Sequence, residues 1–201
     1  MKQDRIVLAS NNPGKVKEIN ALLSSLDLEI IPQADLGVVD AVEDGLSFVE
    51  NALIKARHAA EQTSLPAIAD DSGLEVTALN GEPGIYSARY AGENASDEDN
   101  LTKLINQIQS VPVNKRQARF ICVMVFLRYA NDPVPVIAQG IWNGEIVTSP
   151  SGKNGFGYDP VFYLSDRACT SAELAADVKN SISHRGIALK EIIDKLKQVI
   201  D

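Results

Sequence analysis

The sequence predicts an α/β fold, and three stretches carry that prediction. Residues 5–9 form a short β-type run that is followed by a polar loop and then by a helical stretch. Residues 118–129 are nearly continuous in apolar side chains, which is typical of a central strand covered on both faces. Between them, Asp70 and Asp71 follow the apolar run 67–69, and open α/β sheets place reactive groups where such strands end.

Composition predicts a soluble globular chain, with one domain over residues 1–201. The hydrophobic fraction is 45% and the charged fraction is 23%, both ordinary for a folded protein. The net charge of −8 argues against general nucleic-acid binding, which needs a clustered positive surface. The sequence has neither an uninterrupted apolar stretch long enough to span a bilayer nor an apolar signal core at its start. We therefore expect no membrane partner and a cytoplasmic location. Cys122 and Cys169 are expected to be plain thiols.

The loop at residues 10–15 is the first candidate binding element. It precedes a predicted helix over residues 16–26, whose Ile19, Leu22, Leu23 and Leu26 share one face. A helix N-terminus attracts anions, and Lys15 adds a full charge there. The loop lacks the Walker A pattern. A plain helix-entry turn explains its Asn, Pro and Gly equally well.

A second strand is predicted at Ile30 and Ile31, and Ser47 with Glu50 forms a capping box that opens a helix running to about Thr63. Lys55 falls at the margin of the apolar stripe of that helix, where it either reaches water or enters a cleft. Asn51 lies just beyond the stripe, and His58 is given no role. Glu43 is either a solvated loop residue or a third carboxylate for an acidic site.

Residues 70–73 are expected to leave the strand in a tight turn, before a further strand over residues 74–79. Two adjacent carboxylates repel each other unless a cation, a donor or a proton relieves them. A divalent metal such as Mg²⁺ suits them, because it accepts carboxylate oxygens and keeps positions for water and phosphate. The alternative is a solvated acidic pair.

The second half of the sequence contains several further signals. Ser96 is expected to cap a helix, with the acidic residues after it acting as helix starters. Asn143-Gly144 predicts a hairpin between residues 134–142 and 145–148.

The loop at residues 151–160 leaves its aromatic rings open to two interpretations. Phe156 and Tyr158 either lie on an open loop, where a ring could stack on a base while Asp159 reads the base edge, or fold inward. Ser183 is expected to cap the final helix. His184 and Arg185, in its first turn, are either exposed or compensated by an anionic group.

Several of these stretches together resemble the inosine triphosphate pyrophosphatase family. The matching motifs are SNNPGK at 10–15, ENALIKA at 50–56, ADDSGLEV at 69–76, PGIYSARYAG at 83–92, FGYDPVF at 156–162 and SHRGIAL at 183–189. They occur in the family's order and span almost the entire chain.

The resemblance implies a two-lobed α/β fold, with a long mixed sheet flanked by helices and a substrate groove between the lobes. It also implies a homodimer and Mg²⁺-dependent conversion of ITP, dITP and XTP to the monophosphate and pyrophosphate. Asp71 would be the general base, with Asp70 and Lys55 beside it, and Glu43 and Asp71 would serve the metal. Phosphates would be held by Ser10, Asn11, Asn12, Pro13, Gly14 and Lys15. The substrate pocket would include Ser72, Phe156, Gly157, Tyr158, Asp159, Lys179, His184 and Arg185.

Residue chemistry agrees with direct attack by an activated water, because nothing resembling a Ser/His/Asp triad is present. Donors from His184 and Arg185 would favour 6-oxo purines over adenine. Two alternatives remain: a Maf-type nucleotide pyrophosphatase with another base preference, and a nucleotide-sensing module without turnover.

Overall fold

The computed structural model describes residues 5–23 and 28–198, in which five α-helices accompany seven strands of one mixed sheet. The strands are β1 (Arg5–Leu8), β2 (Glu29–Pro32), β3 (Ala67–Val76), β4 (Gln117–Leu127), β5 (Val136–Ile146), β6 (Phe162–Leu164) and β7 (Cys169–Thr170). The helices are α1 (Pro13–Leu23), α2 (Phe48–Thr63), α3 (Asp97–Ile108), α4 (Ala176–Ile182) and α5 (His184–Leu196).

The sheet has the order β2-β1-β3-β4-β5-β6-β7. Strand β1 pairs in parallel with β2 and β3, whereas β6 pairs antiparallel with β5 and β7. The predicted α/β fold with a long mixed sheet is therefore confirmed. None of the described helices is long and apolar enough to cross a membrane.

The chain divides into two compact units, each with its own apolar core. Unit 1 comprises Met1–Asp71, Cys122–Gly140 and Arg185–Asp201, and unit 2 comprises Ser72–Ile121 and Ile141–His184. The buried core of unit 1 contains Ile6, Leu8, Ile19, Ile68, Cys122, Met124, Phe126, Ala138, Ala188, Leu189, Ile192 and Leu196. That of unit 2 contains Leu74, Val76, Tyr90, Leu104, Ile108, Ala118, Phe120, Trp142, Ile146, Tyr158, Val161, Phe162, Leu164 and Leu174. The assignment of residues 1–201 to one domain stays a prediction.

Helix starts agree with their capping signals. Ser47 accepts the backbone N–H of Glu50 at the start of α2, and Ser96 forms a full capping box with Asp99 at the start of α3. Helix α1 begins at Pro13, three residues earlier than predicted, because proline suits the first helical position and Asn12 caps the helix. Leu26, which was placed on the apolar face of the first helix, lies outside the described residues.

Two turn predictions are wrong. Strand β3 continues through residues 70–73 and ends at Val76, so Asp70 and Asp71 lie inside a buried strand and not in a turn. Strand β5 runs straight through Asn143-Gly144, so the predicted hairpin does not exist. A Cβ at Gly144 would lie 2.7 Å from both the Phe162 ring and the Tyr163 carbonyl oxygen. Glycine is therefore required at this position by the close approach of β6, and not by a turn.

Candidate active site

Asp70 and Asp71 are both buried in β3 and are neutralised by different cations. Successive side chains of a strand point to opposite faces of the sheet. The adjacent carboxylates are therefore relieved separately, and the two arrangements are described in turn.

Asp70 contacts two basic side chains. Its Oδ2 lies 3.1 Å from Lys15 Nζ and 3.6 Å from Arg185 Nη2. Burial alone would raise the pKa of Asp70, but Lys15 and Arg185 hold it well below the usual range of a carboxyl group. Arg185 also binds Glu18 through Nη1 at 2.5 Å. These acidic partners supply the compensation that was expected for a cation in the first turn of α5.

Asp71 is held by two side chains of α2. Lys55 Nζ lies 3.0 Å from Asp71 Oδ1 and 3.3 Å from Glu43 Oε1, so one ammonium joins both carboxylates. Asn51 Nδ2 donates to Asp71 Oδ2 at 3.4 Å. Burial raises the pKa of Asp71 against the opposing charge of Lys55, and Glu43 adds to the rise. A buried carboxyl group with a raised pKa, beside a fixed cation, suits a proton acceptor.

Lys55 and Glu43 therefore lie beside Asp71. This agrees with the interpretations in which Lys55 enters a cleft and Glu43 is a third carboxylate of the acidic site. The pKa of Lys55 is raised, since its carboxylate partners outweigh the burial that would lower it. Lys55 lies in α2, and its side chain is only slightly exposed because it turns toward Asp71 and not toward water.

The loop at residues 10–15 is organised by its own polar side chains. Asn12 Oδ1 accepts the backbone N–H of Lys15 at 3.1 Å, and Ser10 Oγ accepts that of Asn12 at 3.3 Å. Asn11 donates to Asp40 Oδ1 at 2.9 Å, which ties the loop to the segment after β2. Pro13 and Gly14 form the first turn of α1. The loop thus opens a helix whose N-terminus carries Lys15, as an anion site requires.

A second polar cluster lies in unit 2 and surrounds Asp159. Asp159 Oδ2 accepts hydrogen bonds from Lys179 Nζ at 2.7 Å and from the Phe156 backbone N–H at 2.9 Å. Asp159 Oδ1 accepts one from Ser171 Oγ at 2.5 Å. Lys179 Nζ also lies 5.1 Å from the centre of the Phe156 ring. Gly155 has φ +75°, and a Cβ there would lie 2.0 Å from Asp159 Oδ2. Asp159 therefore fixes the conformation of the loop that carries Phe156.

The aromatic residues of this loop differ in their surroundings. Tyr158 is buried in the core of unit 2, where its hydroxyl donates to the Ser87 carbonyl at 2.8 Å. For Tyr158 the inward-folded interpretation is correct. Phe156 is half-buried, and Gly157 donates its N–H to Asp97 Oδ2 at 2.9 Å. Ser72 is half-buried in β3.

His184 and Arg185 are both buried, so the interpretation of an exposed pair is wrong. The His184 ring stacks on Phe120, with 4.7 Å between ring centres and 11° between planes, and more loosely on Trp142. His184 belongs to unit 2, whereas Arg185 belongs to unit 1 and contacts Asp70 and Glu18.

Sequence reasoning missed three contributors to these clusters: Asn51, Glu18 and Ser171. For Asn51 a usable signal existed, because it precedes Lys55 by four residues and such pairs share one helix face. Ser171 reaches Asp159 from twelve residues away through a loop, and Glu18 reaches Arg185 across most of the chain. Neither contact has a local signal.

The predicted metal ligands can be tested by their chemistry. Across residues 5–23 and 28–198, His, Cys, Asp and Glu form no group of three or more that could hold a metal ion. Glu43 and Asp71 do bring two hard oxygen donors to one cation, Lys55 Nζ. One or two carboxylates, completed by substrate phosphates, are the usual protein ligands of Mg²⁺. The donor pair therefore fits that metal.

Fold and site together define an α/β protein in which buried carboxylates and a helix-opening polar loop suit phosphate chemistry. The Ham1 family model matches residues 6–195. The chain belongs to the Ham1 family, which confirms the resemblance seen in the motifs.

Individual relatives are similar over almost their whole length. The dITP/XTP pyrophosphatase of Escherichia coli (strain K12) is 55% identical over 193 residues, which cover 96% of this chain and 98% of that protein. The dITP/XTP pyrophosphatase of Photorhabdus laumondii is 54% identical with the same coverage. A solved structure of a HAM1 protein from Coxiella burnetii has a TM-score of 0.90 and 49% identity, covering 96% of this chain and 98% of that one.

Proposed function

We propose that this protein hydrolyses the deaminated purine nucleoside triphosphates dITP, ITP and XTP to the monophosphate and pyrophosphate. Relatives that are 54–55% identical over 96% of the chain carry the name dITP/XTP pyrophosphatase. The observation that carries the chemistry is the buried Asp71, held between Lys55 and Asn51 and joined through Lys55 to Glu43.

Asp71 is proposed as the general base. Its raised pKa makes it a better proton acceptor than an ordinary carboxylate, and Lys55 fixes its orientation. The proton of an attacking water passes to Asp71 while the water oxygen bonds to phosphorus. The anhydride bond between the α- and β-phosphates breaks, and pyrophosphate leaves with the bonding electrons.

The phosphate chain is proposed to bind at the loop formed by residues 10–15. A triphosphate carries about four negative charges, so it favours a helix N-terminus together with nearby cations. Lys15 supplies one such charge, and Asp70 holds its ammonium in place before substrate arrives. Arg185 contacts the same carboxylate, which supports a role near the phosphates; its role in base recognition stays a prediction.

Glu43 and Asp71 are proposed to hold Mg²⁺. When bound, this ion would neutralise charge on the reacting phosphates and on the leaving pyrophosphate. Lys55, which contacts both carboxylates, keeps them close together against their mutual repulsion.

The base is proposed to be recognised by the substrate-pocket residues of unit 2. The Phe156 ring offers a stacking face, and Asp159 with Lys179 fixes its loop. His184, whose ring is held by its stack on Phe120, is a candidate donor to the 6-oxo group. Ser72 and Gly157 are proposed for this pocket as well, whereas Tyr158, whose ring is buried in the core of unit 2, is proposed to support the loop that carries Phe156. We further propose that the protein is a homodimer, which light scattering on the purified protein would test. We also propose that it is located in the cytoplasm.

The decisive experiment is pyrophosphate release from a panel of dITP, ITP, XTP, dATP, dGTP and dTTP, each with and without Mg²⁺. We expect release from the first three in the presence of Mg²⁺, with dATP slower by ~10⁴-fold, as a missing hydrogen-bond partner can cause. Preferential hydrolysis of nucleoside triphosphates that carry other bases would favour a Maf-type enzyme. Saturable ITP binding without release would favour a sensing module.

A further inference from the structure

Asn51 is the buried residue on which this inference rests. It is fully buried in the first turn of α2, and its side chain has two partners from different segments. Oδ1 accepts the backbone N–H of Gly45 at 2.9 Å, and Nδ2 donates to Asp71 Oδ2 at 3.4 Å. The amide therefore connects the segment before α2 with strand β3.

The chemistry of the two partners fixes the orientation of this amide. A backbone N–H can bond only to the oxygen, which leaves the NH₂ group for the carboxylate of Asp71. An aspartate at this position would instead place a second carboxylate 3.4 Å from Asp71 Oδ2, where the two would repel. Both ends of the side chain are thus used in a way that only an amide satisfies.

The fit around the amide is tight on the side of the loop. A Cβ at Gly45 would lie 2.7 Å from both Asn51 Oδ1 and Glu50 Cβ, so any larger residue there pushes on the amide and on the first turn of α2. Glu43 lies two residues before Gly45, and its carboxylate contacts Lys55, one helical turn after Asn51. Asn51 and Lys55 therefore hold Asp71 and the Glu43 segment from neighbouring positions of one helix face.

We propose that Asn51 is a positioning residue that sets the distance between the carboxylates of Glu43 and Asp71. It anchors the Glu43 segment through Gly45 and fixes Asp71 Oδ2, while Lys55 fixes Asp71 Oδ1. The inference rests on the proposed function, in which these two carboxylates hold the metal and Asp71 accepts the proton.

The test uses two variants that act from opposite sides. Asn51→Leu removes both hydrogen bonds while keeping the number and branching of the side-chain heavy atoms. Gly45→Ala keeps the amide but pushes on it, and on Glu50 Cβ, from the loop; the Ser47→Ala control perturbs Glu50 without the push on the amide. Ser47→Ala is the matched control, because the Ser47 side chain caps the same helix through Glu50, while the only bond from Ser47 to Asn51 is made by its backbone carbonyl, which alanine keeps. We expect its loss to lower stability alone. Thermal melts of all three establish that they fold.

Two readouts separate positioning from simple loss of stability. At saturating Mg²⁺ we expect kcat for dITP to fall ~10- to 100-fold in both variants, the range typical when the support of a metal ligand is removed. KM should stay within about threefold, because the phosphate loop is untouched. Calorimetry with Mn²⁺ and no nucleotide should show affinity weakened by ~10-fold. Ser47→Ala should match the wild type in both.

Each other outcome overturns the proposal. These are a kcat within twofold of the control, a rise in KM with kcat kept, Mn²⁺ affinity equal to the wild type, and no Mn²⁺ binding by the wild type. If Asn51→Leu does not fold, Gly45→Ala decides. If the wild-type protein releases no pyrophosphate, the proposed function fails, and Mn²⁺ affinity alone then decides the role of Asn51.

Discussion

Replacing Asp71 by Asn tests the site most directly, because it removes a charge with almost no change in volume. In the wild type, the carboxylate accepts from Lys55 at 3.0 Å and from Asn51 at 3.4 Å, two donors on its two oxygens. An amide has only one acceptor atom. If its oxygen faces Lys55, its NH₂ group faces the NH₂ group of Asn51, and flipping it directs a donor at Lys55 instead.

The cost of this mismatch can be bounded from the same contacts. One buried donor loses its acceptor, which costs about 1–3 kcal/mol. The larger penalty of leaving a buried ammonium without any carboxylate is avoided, because Lys55 keeps Glu43 at 3.3 Å. Domains are stable by about 5–15 kcal/mol, so the variant is expected to fold. The rate should fall ~10²- to 10⁴-fold through loss of the base, and weaker Mg²⁺ binding would add to this.

The assay measures pyrophosphate release from ITP in single turnover at saturating Mg²⁺, with calorimetry for ITP binding and a thermal melt for folding. We expect binding without turnover. Asp99→Asn is the control, since it makes the same chemical change at the exposed cap of α3 and should keep activity within twofold. Release near the wild-type rate in Asp71→Asn would refute the role of Asp71 as base and move it to Asp70 or Glu43.

Three further predictions address the fold. Gly144→Ala should destabilise the protein by about 1–3 kcal/mol in urea unfolding, because the added methyl group meets the Phe162 ring; an unchanged midpoint would contradict the packing described. Cys122 should resist iodoacetamide at pH 8 in the native protein, since burial raises its thiol pKa to about 12, whereas the less buried Cys169 should react; mass spectrometry of the labelled peptides decides. The pKa of Asp132 is held low mainly by its hydrogen bond to Arg128. Asp132 therefore contributes stability that is present above about pH 4 and lost as the pH falls. Asp132→Asn should therefore flatten the fall in urea midpoint between pH 5 and 3, and an unaltered slope would exclude this residue as its source.

Helices were predictable because their signals are local. The caps formed by Ser47 and Ser96 depend on neighbours within a single turn. Turn signals failed where tertiary packing competed with them. Asp70 to Gly73 have turn composition, yet they lie within β3 because their partners are supplied by other segments. Gly144 was read as a turn residue, although it serves a close contact between strands.

The sequence motifs predicted most of the side chains of the candidate active site, but they did not predict which residues pair with one another. Lys55 and Glu43 could be proposed for the acidic site, whereas the pairing of Asp70 with Lys15 and Arg185 could not. Arg185 and His184 are adjacent in sequence and were assigned together, yet they bind different groups. Ion pairs between segments far apart in the sequence, such as Lys15 with Asp70 and Glu18 with Arg185, leave no local pattern.

The order of the core residues along the chain has a consequence for synthesis on the ribosome. Every buried core residue of unit 2 lies between Leu74 and Leu174, whereas the core of unit 1 begins at Ile6 and is completed only by Leu189, Ile192 and Leu196 of α5. Domains generally form as their residues emerge. The segment that emerges first must therefore wait, with β1 and α1 lacking their final apolar cover, until the last helix has been translated. Unit 2, though encoded later, has its whole core available sooner, so the nascent chain completes its two cores in the reverse of the order in which they begin.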